Sequence, residues 1–308
     1  MNIDLKTFYF SLITIAIIIV LGYILGKIHM IGKDTNRDLV NLLLSVFMPA
    51  ALLNAFPAEY SEDSLSLFSQ GIIGGILTMA SLILISHFIF HKKFFKGELN
   101  YEAKFAFIFN NATFLGYPLI STAFGQDGII PYCGFIISFN VALFSYGVWL
   151  FERKITPKFF KELLLNPNIL AIIAGALLFL ARIELPTPVS SAISYVAGAT
   201  TPLSLICIGY MLSRAHLKST LKKWRLALIA GLQLIIAPIV TYLITSALHF
   251  PIEVVLICTL IQALPTATSL GLFAEKYGGN QSESSELVII STLLSAITMP
   301  LTVLVFFG

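Results

Sequence analysis

Apolar stretches of about twenty residues recur along the whole chain, separated by short polar connections. Each is long enough to cross a hydrocarbon layer of roughly 30 Å at 1.5 Å per residue. The pattern predicts ten membrane-spanning helices, over residues 7–26, 38–56, 64–90, 101–125, 129–151, 167–184, 188–213, 224–248, 252–274 and 286–306. The first stretch does not have the form of a secretion signal: it has only Lys6 before it and lacks a small-residue cleavage site, so it is read as a helix.

The punctuation inside these helices repeats. Pro49 in "SVFMPAALL" and Pro202 in "GATTPLSLI" lie 153 residues apart, while Asn111 in "NNATFLGYPLI" and Pro265 in "QALPTATSLG" lie 154 apart, half the chain. Five crossings per half is an odd number, so the second copy must enter the membrane from the opposite side. The predicted fold is therefore an all-α integral membrane protein of two inverted five-helix repeats, with interrupted, crossing fourth and ninth helices at corresponding positions. The first repeat covers residues 1–151, a short connection covers 152–166, and the second repeat covers 167–308.

An interruption at membrane depth is tolerated only where the backbone is buried in protein or lines a wet cavity. Pro265 removes a donor and is expected to free carbonyls near Thr259 to Ile261. Each break also creates two helix ends: the half that starts offers N–H groups and a partial positive charge, and the half that stops offers carbonyls. Beside the fourth-helix break stand Asn110, Asn111 and Thr113; beside the ninth stand Gln262, Thr266, Thr268 and Ser269. These residues supply hydrogen bonds without fixed charge, and no Asp, Glu, Lys, Arg or His sits at a span centre. That argues against a proton relay through a buried carboxylate. The ligand that fits is a small carboxylate held by helix N–H groups and by Asn or Thr donors. Pro238 and Pro300 are read as simple kinks, and Gly71, Gly74 and Gly75 as sites of close helix packing.

Composition agrees with a membrane protein. Of 308 residues, 57% are hydrophobic and 11% charged, against about 25% charged in soluble domains. The net charge of +3 is small, but 17 of the 19 basic residues fall in or at the edge of the connections after the odd-numbered spans, on one face. By the positive-inside rule those connections are cytoplasmic and both termini face outward across the inner (plasma) membrane. Short basic loops attached to membrane helices suit anionic lipid rather than nucleic acid. Cys133, Cys207 and Cys258 lie inside spans without pairing or metal-ligand spacing, and His87 and His91 sit at a membrane edge beside Lys92 and Lys93 in a solvated basic cluster. No HExxH, GxSxG or pair of membrane aspartates is present, so an intramembrane enzyme is not expected.

The stretch "NNATFLGYPL" followed by "FG" resembles the fourth-helix motif of the auxin efflux carrier family, in which an Asn precedes Gly by five positions and Pro by seven; Asn111, Gly116 and Pro118 keep that spacing. Residues 263–301, "ALPTATSLGLFAEKYGGNQSESSELVIISTLLSAITMPL", are similar to the end of these carriers. One departure is Asn110, where the plant carriers have Pro, which would soften the break or shift it toward Pro118. The chain also lacks the long central loop of the plant members and so resembles the bacterial branch, associated with malate, malonate and related organic anions. The resemblance implies a bundle related to the bile acid sodium symporters, a homodimer, and helices 1, 2, 6 and 7 as a scaffold for a moving transport domain. It carries the substrate contact to Asn111 and the second crossover to Pro265; Asn110, Thr113, Gln262, Thr266 and Thr268 join on polarity alone.

The expected function is transport of a small organic anion, a mono- or dicarboxylate, by elevator-type alternating access around the two breaks. No cofactor or metal is expected, and sodium or proton coupling is left open. The alternatives are a sodium-coupled symporter or cation antiporter of the same fold, with ions at carbonyl ends near Asn110 and Leu264, and a membrane sensor that binds without transporting.

Overall fold

The computed structural model describes residues 5–56, 61–91, 99–152, 161, 164–215, 220, 222–277 and 279–307. Lys92, Lys93, Lys96, Arg153, Lys154, Lys158 and Lys218, on which part of the sidedness argument rests, lie outside the described residues, as does most of the 152–166 connection.

Among the described residues all regular secondary structure is helical. The helices are α1 (Leu5–Lys27), α2 (Lys33–Leu53), α3 (Glu62–Ile89), α4 (Leu99–Ile108), α5 (residues 112–124), α6 (Asp127–Glu152), α7 (Pro167–Ala181), α8 (Thr187–Ser213), α9 (Trp224–Ala247), α10 (Ile252–Gln262), α11 (Ser269–Tyr277) and α12 (Gln281–Phe307). Seven of them, α1, α2, α3, α6, α8, α9 and α12, are long and apolar enough to cross a membrane, and α7 and α10 are shorter apolar helices. Outward-facing apolar side chains such as Phe10, Ile13 and Ile17 on α1 or Leu301 and Val305 on α12 suit contact with lipid tails. The chain thus has the form of a multi-pass membrane protein.

Local chemistry explains where the helices begin. Ser61 accepts the Ser64 N–H ahead of Glu62 and Asp63, which suit the positive end of α3. Asn166 accepts from Asn168 at 2.9 Å, with Pro167 at the first helical position of α7, where its missing N–H costs nothing. α2 starts at Lys33, five residues before the predicted 38, because the polar stretch "KDTNRDL" continues the helix beyond the apolar span. Pro49 does not interrupt α2: a π turn over Leu43–Phe47 precedes it, and the helix runs on through Met48–Leu53. Pro202 follows the joint at Ala199 that divides α8 into Thr187–Gly198 and Thr200–Ser213. The Thr200 hydroxyl donates to the Phe47 carbonyl at 2.9 Å and ties the two proline regions together.

The helices pack in two sets. α1 lies along α8, with Gly22 against the Ile206 backbone and Gly209 against that of Ile19, and α2 packs on α7 and α8. α3 lies along α6 in the same way, Gly71 against Pro131 and Gly134 against Phe68, while α9 packs on α10 and α12. Small residues at such crossings let backbones touch where no hydrophobic drive distinguishes lipid from protein. Between α5 and α6 the chain turns at Gly125, whose φ of 56° and ψ of −140° only glycine adopts readily.

Candidate functional site

The predicted spans at 101–125 and 252–274 are each divided, and the two divisions meet. α4 ends at Ile108 and α5 begins at Ala112; α10 ends at Gln262 and α11 begins at Ser269. Asn110 and Thr266 form an antiparallel bridge, flanked by Asn111 N–H donating to the Pro265 carbonyl at 2.7 Å and Ala267 N–H donating to the Phe109 carbonyl at 3.0 Å. Each break therefore satisfies part of the other's unwound backbone, inside a core formed by Phe105, Phe107, Phe109, Tyr132 and Phe135, all at most 1% exposed.

Side chains engage further carbonyls around the breaks. The Tyr132 hydroxyl donates to the Ala112 carbonyl at 2.8 Å. Gln233, fully buried in the middle of α9, donates from Nε2 to the Leu264 carbonyl at 2.7 Å and the Gln262 carbonyl at 3.5 Å. Sequence reasoning missed Gln233; its signal was a lone amide in an apolar helix. The expected freed carbonyls at Thr259 to Ile261 are instead taken by the Ala263 and Leu264 N–H groups, because α10 closes with a tight last turn. The Leu264 carbonyl, a candidate cation ligand from sequence, is engaged by Gln233. The Ser291 hydroxyl on α12, also missed, accepts the Thr266 N–H at 3.1 Å.

The six polar residues singled out from sequence separate into three groups. Asn110, Gln262 and Thr266 form a sealed knot, none more than 2% exposed, in which Asn110 Nδ2 donates to Gln262 Oε1 at 2.8 Å. Asn111 and Thr113 stand at the start of α5. Asn111 Oδ1 caps that helix by accepting the Phe114 N–H at 3.2 Å, which fixes the amide and leaves Nδ2 with no acceptor among the described residues. The N–H groups of Ala112 and Thr113 likewise have no acceptor there. Thr268 precedes α11 and lines a different space, a 370 Å³ cavity that also touches Lys33 and Arg214.

Gly116 and Pro118 do not form the break. They lie in the first turns of α5, where the Asn111 carbonyl accepts both Leu115 and Gly116 N–H and the widened π turn absorbs the proline's missing donor. The break stands before Asn111 even though Asn110 replaces the plant carriers' proline. At the second break, Pro265 occupies the unwound turn itself.

Two broken helices joined through their backbones, with uncharged donors at the start of one half-helix, belong to the architecture of membrane transport proteins. The family described as "membrane transport protein" matches residues 7–154 and 151–303, and the chain belongs to it. This is the auxin efflux carrier resemblance seen in the motifs. The chain is 23% identical over 297 residues to an uncharacterized transporter of Methanothermobacter thermautotrophicus, covering 94% of this chain and 96% of the relative. It is 24% identical over 320 residues to the uncharacterized transporter YfdV of Escherichia coli, covering 98% of each. A protein of Rhizobium meliloti with a provisional malonate-transporter name is 27% identical over 206 residues, 63% of each chain. The chain is a membrane transporter of this family, a class without catalytic chemistry of its own.

Proposed function

We propose that this transporter carries a small organic anion, a mono- or dicarboxylate, and binds it at the start of α5 beside the joined breaks. The observation that carries the reading is the Asn111 side chain. Its oxygen is committed to capping α5, so its Nδ2 is a fixed, buried donor next to the Ala112 and Thr113 N–H groups, which have no acceptor among the described residues, and the positive end of the helix. Such a cluster favours an oxyanion without introducing a buried charge. The provisional malonate-transporter name of one relative agrees with that chemistry.

Movement follows the two packing sets. In this reading α1, α2, α7 and α8 are the scaffold, the remaining helices are the transport domain, and the ten spans form two inverted repeats of five. The support is that α1, α2, α7 and α8 pack chiefly on one another and α3 with α6, and α9 with α10 and α12, do the same. The chain divides into its two repeats at the 152–166 connection, and the transporter works as a homodimer in the inner membrane with outward termini. Counterflow of labelled malonate in proteoliposomes tests the assignment. The wild type should exchange label, and Asn111→Asp, which keeps the capping oxygen but replaces the donor with negative charge, should not. Equal counterflow in both would refute the site, and none in the wild type would leave a sensor for this anion.

A second reading, sodium coupling, is favoured by one observation. Asn110 Oδ1, Gln233 Oε1 and Thr266 Oγ1 are buried oxygens with no hydrogen-bond partner among the described residues, and neutral oxygens can hold a dehydrated cation. Uptake that is unchanged by a sodium gradient would remove it.

A further inference from the structure

We infer that the cavity between α2, α8, α11 and α12 is a capture site for small carboxylates, separate from the breaks, through which the anion reaches them from the basic face of the protein. The cavity measures 370 Å³ and is lined by Lys33 on α2, Tyr210 and Arg214 on α8, Thr268 and Gly271 at the start of α11, and Ser285 on α12, among others. That volume falls in the roughly 300–1,000 Å³ range of small-molecule sites.

Charge is the first reason. Lys33 and Arg214 both border this one space, and no acidic residue lines it. Neither cation has a carboxylate partner among the described residues, and the acid next in sequence to Ser285, Glu286, is held by Lys223. A cleft lined by one sign of charge raises the local concentration of the opposite ion, and a guanidinium offers a carboxylate two parallel hydrogen bonds. Geometry is the second reason. The N–H groups of Thr268 and Ser269, at the first turn of the nine-residue α11, have no acceptor among the described residues, and Thr268 lines the same cavity as the cations. Thr268 also stands two residues beyond Thr266, which bridges to Asn110, so this wall is the near side of the joined breaks.

A second cavity, of 330 Å³ between α1, α5 and α12, has Leu12, Ile13, Leu115, Leu119 and Met299 among its lining residues and no charged residue. Both cavities are walled largely by apolar groups, but only the first is bordered by cations, and anion capture belongs there. A lipid phosphate shares the carboxylate's chemistry, but the Thr268 hydroxyl and the turn leading to the breaks favour a freely diffusing anion.

Binding of labelled malonate to the full chain in phosphatidylcholine nanodiscs tests the inference, which depends on the carrier reading only for the order of events. Lys33 and Arg214 are exposed, so Lys33→Gln/Arg214→Gln should fold, which thermal unfolding verifies. The double variant should bind malonate roughly tenfold or more weakly, and wild-type binding should weaken as salt rises. Asn111→Asp should keep a residual malonate site that disappears when the two neutral substitutions are added. Unchanged affinity in the double variant, or no wild-type binding of malonate, would overturn the capture site. Displacement of malonate by phosphatidylglycerol in the disc would also overturn it, by making the occupant a lipid headgroup. Loss in the double variant with normal binding in Asn111→Asp would support capture and refute the site at the breaks, so the two readings fail separately.

Discussion

At the scale of single residues, the account turns on which end of an amide is committed. Asn111 uses its oxygen to cap α5, which leaves its Nδ2 for the proposed ligand, whereas the Nδ2 of Asn110, its neighbour, is spent on Gln262 inside the knot. Asn111→Ala removes both the cap and the donor. It should cost about 1 kcal/mol of stability and, through a lost hydrogen bond to a charged group worth about 1.5–3 kcal/mol, weaken carboxylate binding by roughly one to two orders of magnitude. Thermal unfolding and binding titration separate the two effects. Gln233→Leu should destabilise the protein by about 1–3 kcal/mol, because the Leu264 carbonyl would remain buried without its donor; an unchanged thermal midpoint would contradict that role. The polarity of Asn110, Asn111 and Thr266 was legible in the chain, but their division of labour was not. It depends on which backbone groups the partner break has already taken, a contact across about half the sequence that no local pattern encodes.

At the scale of elements, breaks and crossings carry the architecture. The division of 252–274 was legible from Pro265, and that of 101–125 from the run of amides, glycine and proline. Pro49, Gly116 and Pro118 show the limit of that reasoning: a π turn inserts the extra residue that lets a helix continue past a missing donor, and composition does not distinguish the two outcomes. Packing at the glycine crossings leads to a sharper expectation. At Gly134 an added side chain meets the Phe68 carbonyl and the Ile72 backbone, so Gly134→Val should force α3 from α6 and cost about 1–3 kcal/mol. At Gly125 an added Cβ meets nothing, so Gly125→Ala should cost only the conformational penalty of a positive φ with extended ψ, about 1–3 kcal/mol. Thermal unfolding of the two variants side by side checks whether sterics or backbone conformation dominates at each site.

At the scale of the whole molecule, the family membership makes the protein a membrane transporter, and the proposed site would let such a protein favour an anion with so little charge inside. The nearest charged residue to the first break along its own helix pair is Lys104 on α4, and Glu102, in the first turn of that helix, accepts the Asn280 N–H at 2.9 Å at the far end from the joint. The joint itself is built of peptide groups, amides and hydroxyls. If helix ends do the electrostatic work, the ligand must sit on them. A density map of the full protein with malonate bound tests this most directly. The account predicts carboxylate oxygens at about 3 Å from Asn111 Nδ2 and from the first N–H groups of α5. Malonate resting only in the basic cavity, with none at residues 111–113, would contradict it.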